Sequence, residues 1–196
     1  MKLQFKLLLV TVFVLLFCSF ITLPDNFTKL LNRAGMTFEA PEGWVETPVI
    51  NNNQMHYNYA IKYPGKDFEV RYTVRPMDTL LMQYQKMVQQ RGTVMIHPNK
   101  YFGTALMATM INISSGEKAP QTRTYDSVAV KKEFNADRGM FALTYTKKDF
   151  GQDYRFCNVI ALQKDNVAYA YCFIMFNNQD DFKALAPVVY HALKFK

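Results

Sequence analysis

The residues of this chain able to carry covalent or metal chemistry are few: Cys18, Cys157 and Cys172, His56, His97 and His191, and loop carboxylates that include Glu133, Asp137, Asp149 and Asp153. Zinc sites draw their ligands at short fixed spacings, and no histidine here has a second ligand two, three or four residues away. Calcium loops space their oxygen ligands regularly along one short segment, a pattern that Asp137, Asp149 and Asp153 do not follow. Asp149-Phe150-Gly151 stands without a glycine-rich phosphate loop, and no serine lies in a Gly-x-Ser-x-Gly setting. No catalytic, metal or cofactor site is expected. The methionines, Met82, Met87, Met107 and Met110 among them, fall on helical stripes or at irregular spacing and read as core filling.

Two constellations remain. A two-residue turn at Lys164-Asp165 would set Cys157 directly opposite Cys172 on neighbouring strands, within disulfide reach, whereas a turn one residue longer would leave two buried thiols. Both outcomes stay open in the sequence. The other constellation is a row of polar side chains, His56, Lys62, Arg71 and Arg75, that projects from one face of a hairpin with a cationic excess suited to an anionic partner. Its bland counterpart is a solvated sheet face kept charged against aggregation.

The elements that must position these residues follow from periodicity. Met55, Tyr57, Tyr59, Ile61 and Tyr63 alternate with His56, Asn58, Ala60 and Lys62, and Phe68, Val70, Tyr72 and Val74 alternate with Glu69, Arg71, Thr73 and Arg75. The turn Pro64-Gly65-Lys66-Asp67 joins them in a register that sets Tyr63 against Phe68 and Lys62 against Glu69, with one face in water. Two covering helices follow, one capped at Asp78 with Leu80, Leu81, Tyr84, Met87 and Val88 as its packing stripe, the other from Phe102 to Ile113. Two more hairpins are expected, Val128 to Phe134 with Met140 to Thr146, then Phe156 to Gln163 with Val167 to Phe176, and a last helix from Asp180 to Leu193 interrupted or kinked at Pro187. Strands grouped apart from helices make the class α+β, an antiparallel sheet flanked by helices.

Ahead of that domain, Lys2 and Lys6 precede an apolar run from Leu7 to about Leu23, the charged and hydrophobic regions of an export signal. With no Ala-x-Ala-like cleavage site, the segment over 1–24 reads either as a removed signal peptide or as a membrane anchor, since about 17 apolar residues is the lower limit for a spanning helix. Phe17 denies Cys18 the small preceding residue of a lipid-attachment site. Residues 25–35 read as a linker or short helix, and 36–196 as a single α+β domain. The chain is thus expected to be exported, either periplasmic or anchored facing away from the cytoplasm, where disulfides are allowed. Its charge of +7 falls to +5 without Lys2 and Lys6, and its basic residues are scattered. Nucleic acid is therefore not an expected partner.

The opening Phe38-x-x-Pro41-x-Gly43-Trp44, the tyrosine-rich hairpin, the late hairpins and the closing Leu193-Lys194-Phe195 together resemble the PsbP-like fold. That fold is shared by the photosystem lumen protein, the Mog-type Ran-binding factor and DcrB-like bacterial envelope proteins. The resemblance spans Met36 to Lys196 and implies an α/β/α sandwich with an accessory or binding role; it carries over no catalytic residue. The segments Glu133 to Gly139 and Lys147 to Gly151 look particular to a bacterial envelope group. The leading expectation is a non-catalytic envelope accessory protein whose partner is an envelope protein, a glycan or a lipid headgroup, with the membrane itself engaged by the N-terminal segment if it is retained. Two rivals make different demands. An enzyme acting on envelope polymers needs Glu133, Asp137 and Asp149 gathered around a cleft, and an apolar-ligand carrier needs Tyr57, Tyr59 and Tyr72 around a void.

Overall fold

The structure is a computed structural model that describes residues 23–90, 92 and 94–196. The N-terminal run read as a signal or anchor lies outside the described residues. No described helix is long and apolar enough to cross a membrane.

Seven antiparallel strands form the central sheet in the order β2 (Val45–Glu46), β3 (Tyr59–Lys62), β4 (Phe68–Pro76), β8 (Ala168–Phe176), β7 (Phe156–Lys164), β6 (Arg138–Tyr145) and β5 (Gln121–Thr124). A second, two-stranded sheet pairs β1 (Met36–Phe38) with β9 (Leu193–Phe195). Each face of the large sheet carries its own core. On one side Phe68, Val70, Tyr72, Ile160, Leu162, Cys172 and Ile174 pack against α1 (Asp25–Arg33), α4 (Ser127–Phe134) and α6 (Gln179–Val189). On the other Cys157, Val159, Ala161, Tyr171, Phe173 and Met175 pack against α3 (Phe102–Ile113) and Phe150 of the one-turn α5 (Lys148–Gly151). The result is the expected α+β class with helices on both faces. Phe27 and Leu31 of α1 are buried in the first core, so 25–33 is a helix of the packed body and not a linker.

The first hairpin keeps the expected register, with Lys62 opposite Glu69. Its leading strand is shorter than alternation suggests, because asparagine side chains compete for the backbone. Asn52 Oδ1 accepts from the N–H groups of Gln54 and Met55, and Asn58 Oδ1 takes the Val74 N–H at 2.8 Å, so the ladder ends at Asn58, whose own N–H still donates to the Tyr72 carbonyl. Residues 127–134 form a helix where a strand was expected. Asp126 Oδ1 accepts from the N–H groups of Val128 and Ala129, an N-cap, and Asn135 closes the helix in the left-handed conformation at φ 49°. The true partner of β6 on that side is the short β5. Pro187 stays inside the last turn of an unbroken α6.

Helix α4 sits flush on β6 at Gly139, where an added Cβ would meet Val130 Cγ2 at 2.7 Å and Tyr125 Cβ at 3.1 Å. Both neighbours are held by the core, so Gly139→Ala should cost about 1–3 kcal/mol through displacement of the helix. A urea midpoint unchanged from wild type would show that α4 yields freely.

Candidate functional site

The middle of the hairpin face expected to meet water is buried. Arg71 is 1% exposed, and Glu69 and Thr73 are buried with it. The cause is remote in sequence: α5 and the 51–57 segment fold over the row. Arg71 Nε donates to Glu69 Oε1 at 2.5 Å, its Nη1 donates to the Phe150 carbonyl, and its guanidinium lies between the Tyr57 and Phe150 rings at 5.0 and 5.1 Å. Arg71 is therefore a buried structural cation and is removed from the candidate binding face. His56 and Arg75 are exposed and share an open recess with Ala105 and Thr109 of α3. Lys62 is exposed at the opposite end of the hairpin, about 20 Å away along the strands. The four residues do not make one surface.

Cys157 and Cys172 are free and buried. The β7–β8 turn holds three residues between Lys164 and Ala168, which pairs Cys157 with Met175 and Ile160 with Cys172. An odd-length turn flips the alternation, so the thiols point into opposite cores and no disulfide joins them. The same register sets large residues against small ones, Leu162 against Ala170 and Tyr171 against Ala161. Burial pushes both thiols far above their ordinary range, so neither is a nucleophile in the folded chain.

The three carboxylates of the enzyme reading stand apart. Glu133 accepts hydrogen bonds from Tyr125 Oη at 2.6 Å and His191 Nε2 at 3.2 Å, and these hold its carboxyl below the usual range. Burial and the Glu133 carboxylate together push the Tyr125 phenol up to about 12. Asp137 pairs with Lys131 and accepts the Asp165 N–H; burial opposes its ionisation, but these partners prevail and its pKa is lowered. Asp149 lies elsewhere, beside Asn51, Asn52 and Asn53. Among the described residues these three carboxylates do not converge on one cleft. Nor do the tyrosines frame a shared void. Tyr57 belongs to one core and Tyr59 and Tyr72 to the other, where Phe27 stacks on Tyr59 at 4.7 Å and Phe38 packs edge-on against both tyrosines.

These ion pairs set a pH dependence. Carboxyls whose pKa is lowered by folding contribute stability above the unfolded value of about 4, and that stability is lost as pH falls through the folded value. Glu133, Asp137 and Asp78, the last held by a bidentate Arg33, all belong to this class. Denaturation midpoints should decline from about pH 5 towards pH 3, modestly because the pairs are solvent-exposed. Glu133→Gln should flatten part of that slope. An unaltered slope would remove Glu133 from the account.

A surface that periodicity misplaces is the most distinctive one here. Helix α2 (Asp78–Val88) carries the expected stripe of Leu80, Leu81, Tyr84, Met87 and Val88, yet none of its residues is buried. It is not a covering helix. Its stripe opens onto a recess of about 290 Å³ that it shares with Met95, Ile96, Tyr101 of the following 3-10 turn (Pro98–Tyr101) and Tyr169 of β8. A signal was available in the sequence: none of the acidic residues lies between Asp78 and Glu117.

Fold and surface together define a three-layer antiparallel sandwich with one partly apolar flank. No protein-family model matches the chain, and no curated protein matches it. Among solved structures it is similar to cyanobacterial PsbP from Synechocystis sp. PCC 6803, with a TM-score of 0.44 and 11% identity over 83% of this chain and 88% of that one. A likeness at that level carries no residue, ligand or role from that protein to this chain.

Proposed function

We propose that this is an exported, non-catalytic accessory protein of the cell envelope that works by binding, and that its binding surface is the flank built by α2, the 3-10 turn and α3. The observation that supports this reading is the apolar recess of about 290 Å³ between the α2 stripe and Met95, Ile96, Tyr101 and Tyr169, with no residue of α2 buried. Large exposed apolar patches mark interaction sites in stable proteins. The apolar run ahead of Pro24, with its two lysines, supports export.

Photocrosslinking in intact cells tests the surface. A photoreactive side chain at position 94, next to α2, should give discrete adducts that the same group at position 183 on α6 does not. Equal labelling from both positions, or none from 94, would overturn the proposed surface.

A further inference from the structure

The recess between the first hairpin and α3 is lined mainly by polar side chains, and its one permanent charge has no counter-ion. Arg75, near the end of β4, lies opposite Tyr169 of β8 and lines the recess together with α3. Its Nη2 meets Met55 Sδ at 3.5 Å, and among the described residues it forms no ion pair. Arg33, Arg71 and Arg138, by contrast, each hold a carboxylate. No aspartate or glutamate lines this recess, which has a volume of about 450 Å³. Asp149 belongs to another hollow, which shares only Asn52 and Asn53 with this one.

The walls are set before any occupant arrives. The Asn52 side chain is committed to the backbone at both ends: Oδ1 accepts from the Gln54 and Met55 N–H groups at 3.0 and 2.8 Å, and Nδ2 donates to the Ile50 and Met55 carbonyls at 3.3 and 3.2 Å. Thr73 Oγ1 donates to the His56 carbonyl at 2.9 Å and ties the same segment to β4. The side chains of Asn53, Gln54 and His56 form no hydrogen bond among the described residues, and Asn112 lines the recess from α3 in the same condition. The α3 wall is low, because Ala105 and Ala108 carry only methyl groups there.

Thr109 adds a hydroxyl to that wall. Next to it Tyr171 of β8 is 1% exposed, and its Oη has no hydrogen-bond partner. Buried hydroxyls without a partner are uncommon in folded proteins. Burial pushes this phenol up to about 12, and both Arg75 and the Thr109 hydroxyl act in the opposite direction. The Arg75 charge is therefore felt at the base of the recess. A Thr109 hydroxyl that accepts from Tyr171 has its own proton free for an occupant.

One guanidinium among neutral groups matches one carboxylate, which its planar fork binds through two parallel hydrogen bonds. A phosphate, with nearly two charges, would be only half compensated. The three free carboxamides offer donors and acceptors side by side, and neighbouring hydroxyls of a sugar ring, each both donor and acceptor, use both. The volume falls in the range of small-molecule sites. We infer that this recess binds a carboxylate-bearing sugar unit, with the carboxylate on Arg75 and the ring hydroxyls on Asn53, Gln54 and Asn112. The site goes beyond the flank reading and does not depend on it, since the two recesses share no lining residue.

The test titrates the full chain with galacturonate, read by saturation-transfer NMR, beside galactose, acetate and inorganic phosphate. Galacturonate should bind saturably and at least about tenfold more tightly than galactose, which lacks the carboxylate, or acetate, which lacks the hydroxyls. Arg75→Gln should weaken it at least about tenfold, and Arg75→Lys, which keeps the charge without the fork, by less. Ala108→Phe fills the recess from an exposed position without altering a charge and should abolish binding, whereas Lys183→Gln on α6 should leave it unchanged. Trp44 fluorescence during urea unfolding verifies that each variant stays folded. Absence of galacturonate binding, or binding untouched by Arg75→Gln and Ala108→Phe, would overturn the site. Equal or tighter binding of acetate, galactose or phosphate would overturn the ligand class. A galacturonate trimer that binds more tightly than the single unit would assign an acidic polymer as the source, and one that binds no more tightly would assign the free sugar acid.

Discussion

Arg71→Met should destabilise the protein by about 3–5 kcal/mol, because it removes one member of a buried ion pair and leaves the Glu69 carboxylate without its partner. The single tryptophan, Trp44, sits in the first core against Tyr63 and Phe68 and reports the unfolding directly by fluorescence. Glu69→Gln combined with Arg71→Met should recover much of the loss, since apolar and neutral replacements of a buried pair are tolerated far better than its rupture. A loss under about 1 kcal/mol for the single variant would mean that water reaches Glu69 and that the pair behaves as a surface one. Charge reversal at Arg71 is accordingly no probe of partner binding: it would set two carboxylates together in the core.

Phe150→Ala is expected to cost about 3–5 kcal/mol, a large effect for a residue on a one-turn helix. Its ring is fully buried and fills the space between the Arg71 guanidinium, 5.1 Å away, and the Phe173 ring at 5.4 Å. Its backbone carbonyl accepts from Arg71 as well. Truncation would open a path for water to the ion pair, so the effects of Phe150→Ala and Arg71→Met should not add. A double-mutant cycle with a coupling of about 1 kcal/mol or more is expected, and a coupling near zero would show that α5 and the ion pair act independently.

The sequence carried much of the sheet and little of its surroundings. Register in the first hairpin was readable because a one-residue slip would exchange Val70 and Tyr72 for Glu69 and Arg71, and the turn at Pro64 to Asp67 allows few alternatives. Whether that polar row meets water was not readable. Alternation reports that two rows differ, and it says nothing of a segment 79 residues later that folds over one of them. Residues 127–134 deceived for a related reason. Val-Ala-Val followed by Lys-Lys-Glu-Phe fits a short strand, and only the Asp126 cap and the left-handed Asn135 decide for a helix. The cysteine pair turned on a single residue of turn length, which a string of Lys-Asp-Asn-Val does not specify. Helix α2 is the opposite case: its stripe was correctly placed on a helix, but a stripe looks the same whether it faces a core, a partner or a bilayer. The run without acids from Thr79 to Gly116 was the better clue to that surface.

The pairing of β1 with β9 has a consequence in time. Met36 lies opposite Phe195, so strands at the two ends of the described body must meet before the small sheet exists. Contacts of such long sequence separation form late, since the loop between them must be closed first. While residues 193–195 are still being made, β1 has no partner and the core above α1 stays incompletely closed. The body would therefore remain pliable until β9 had been made and could pair with β1.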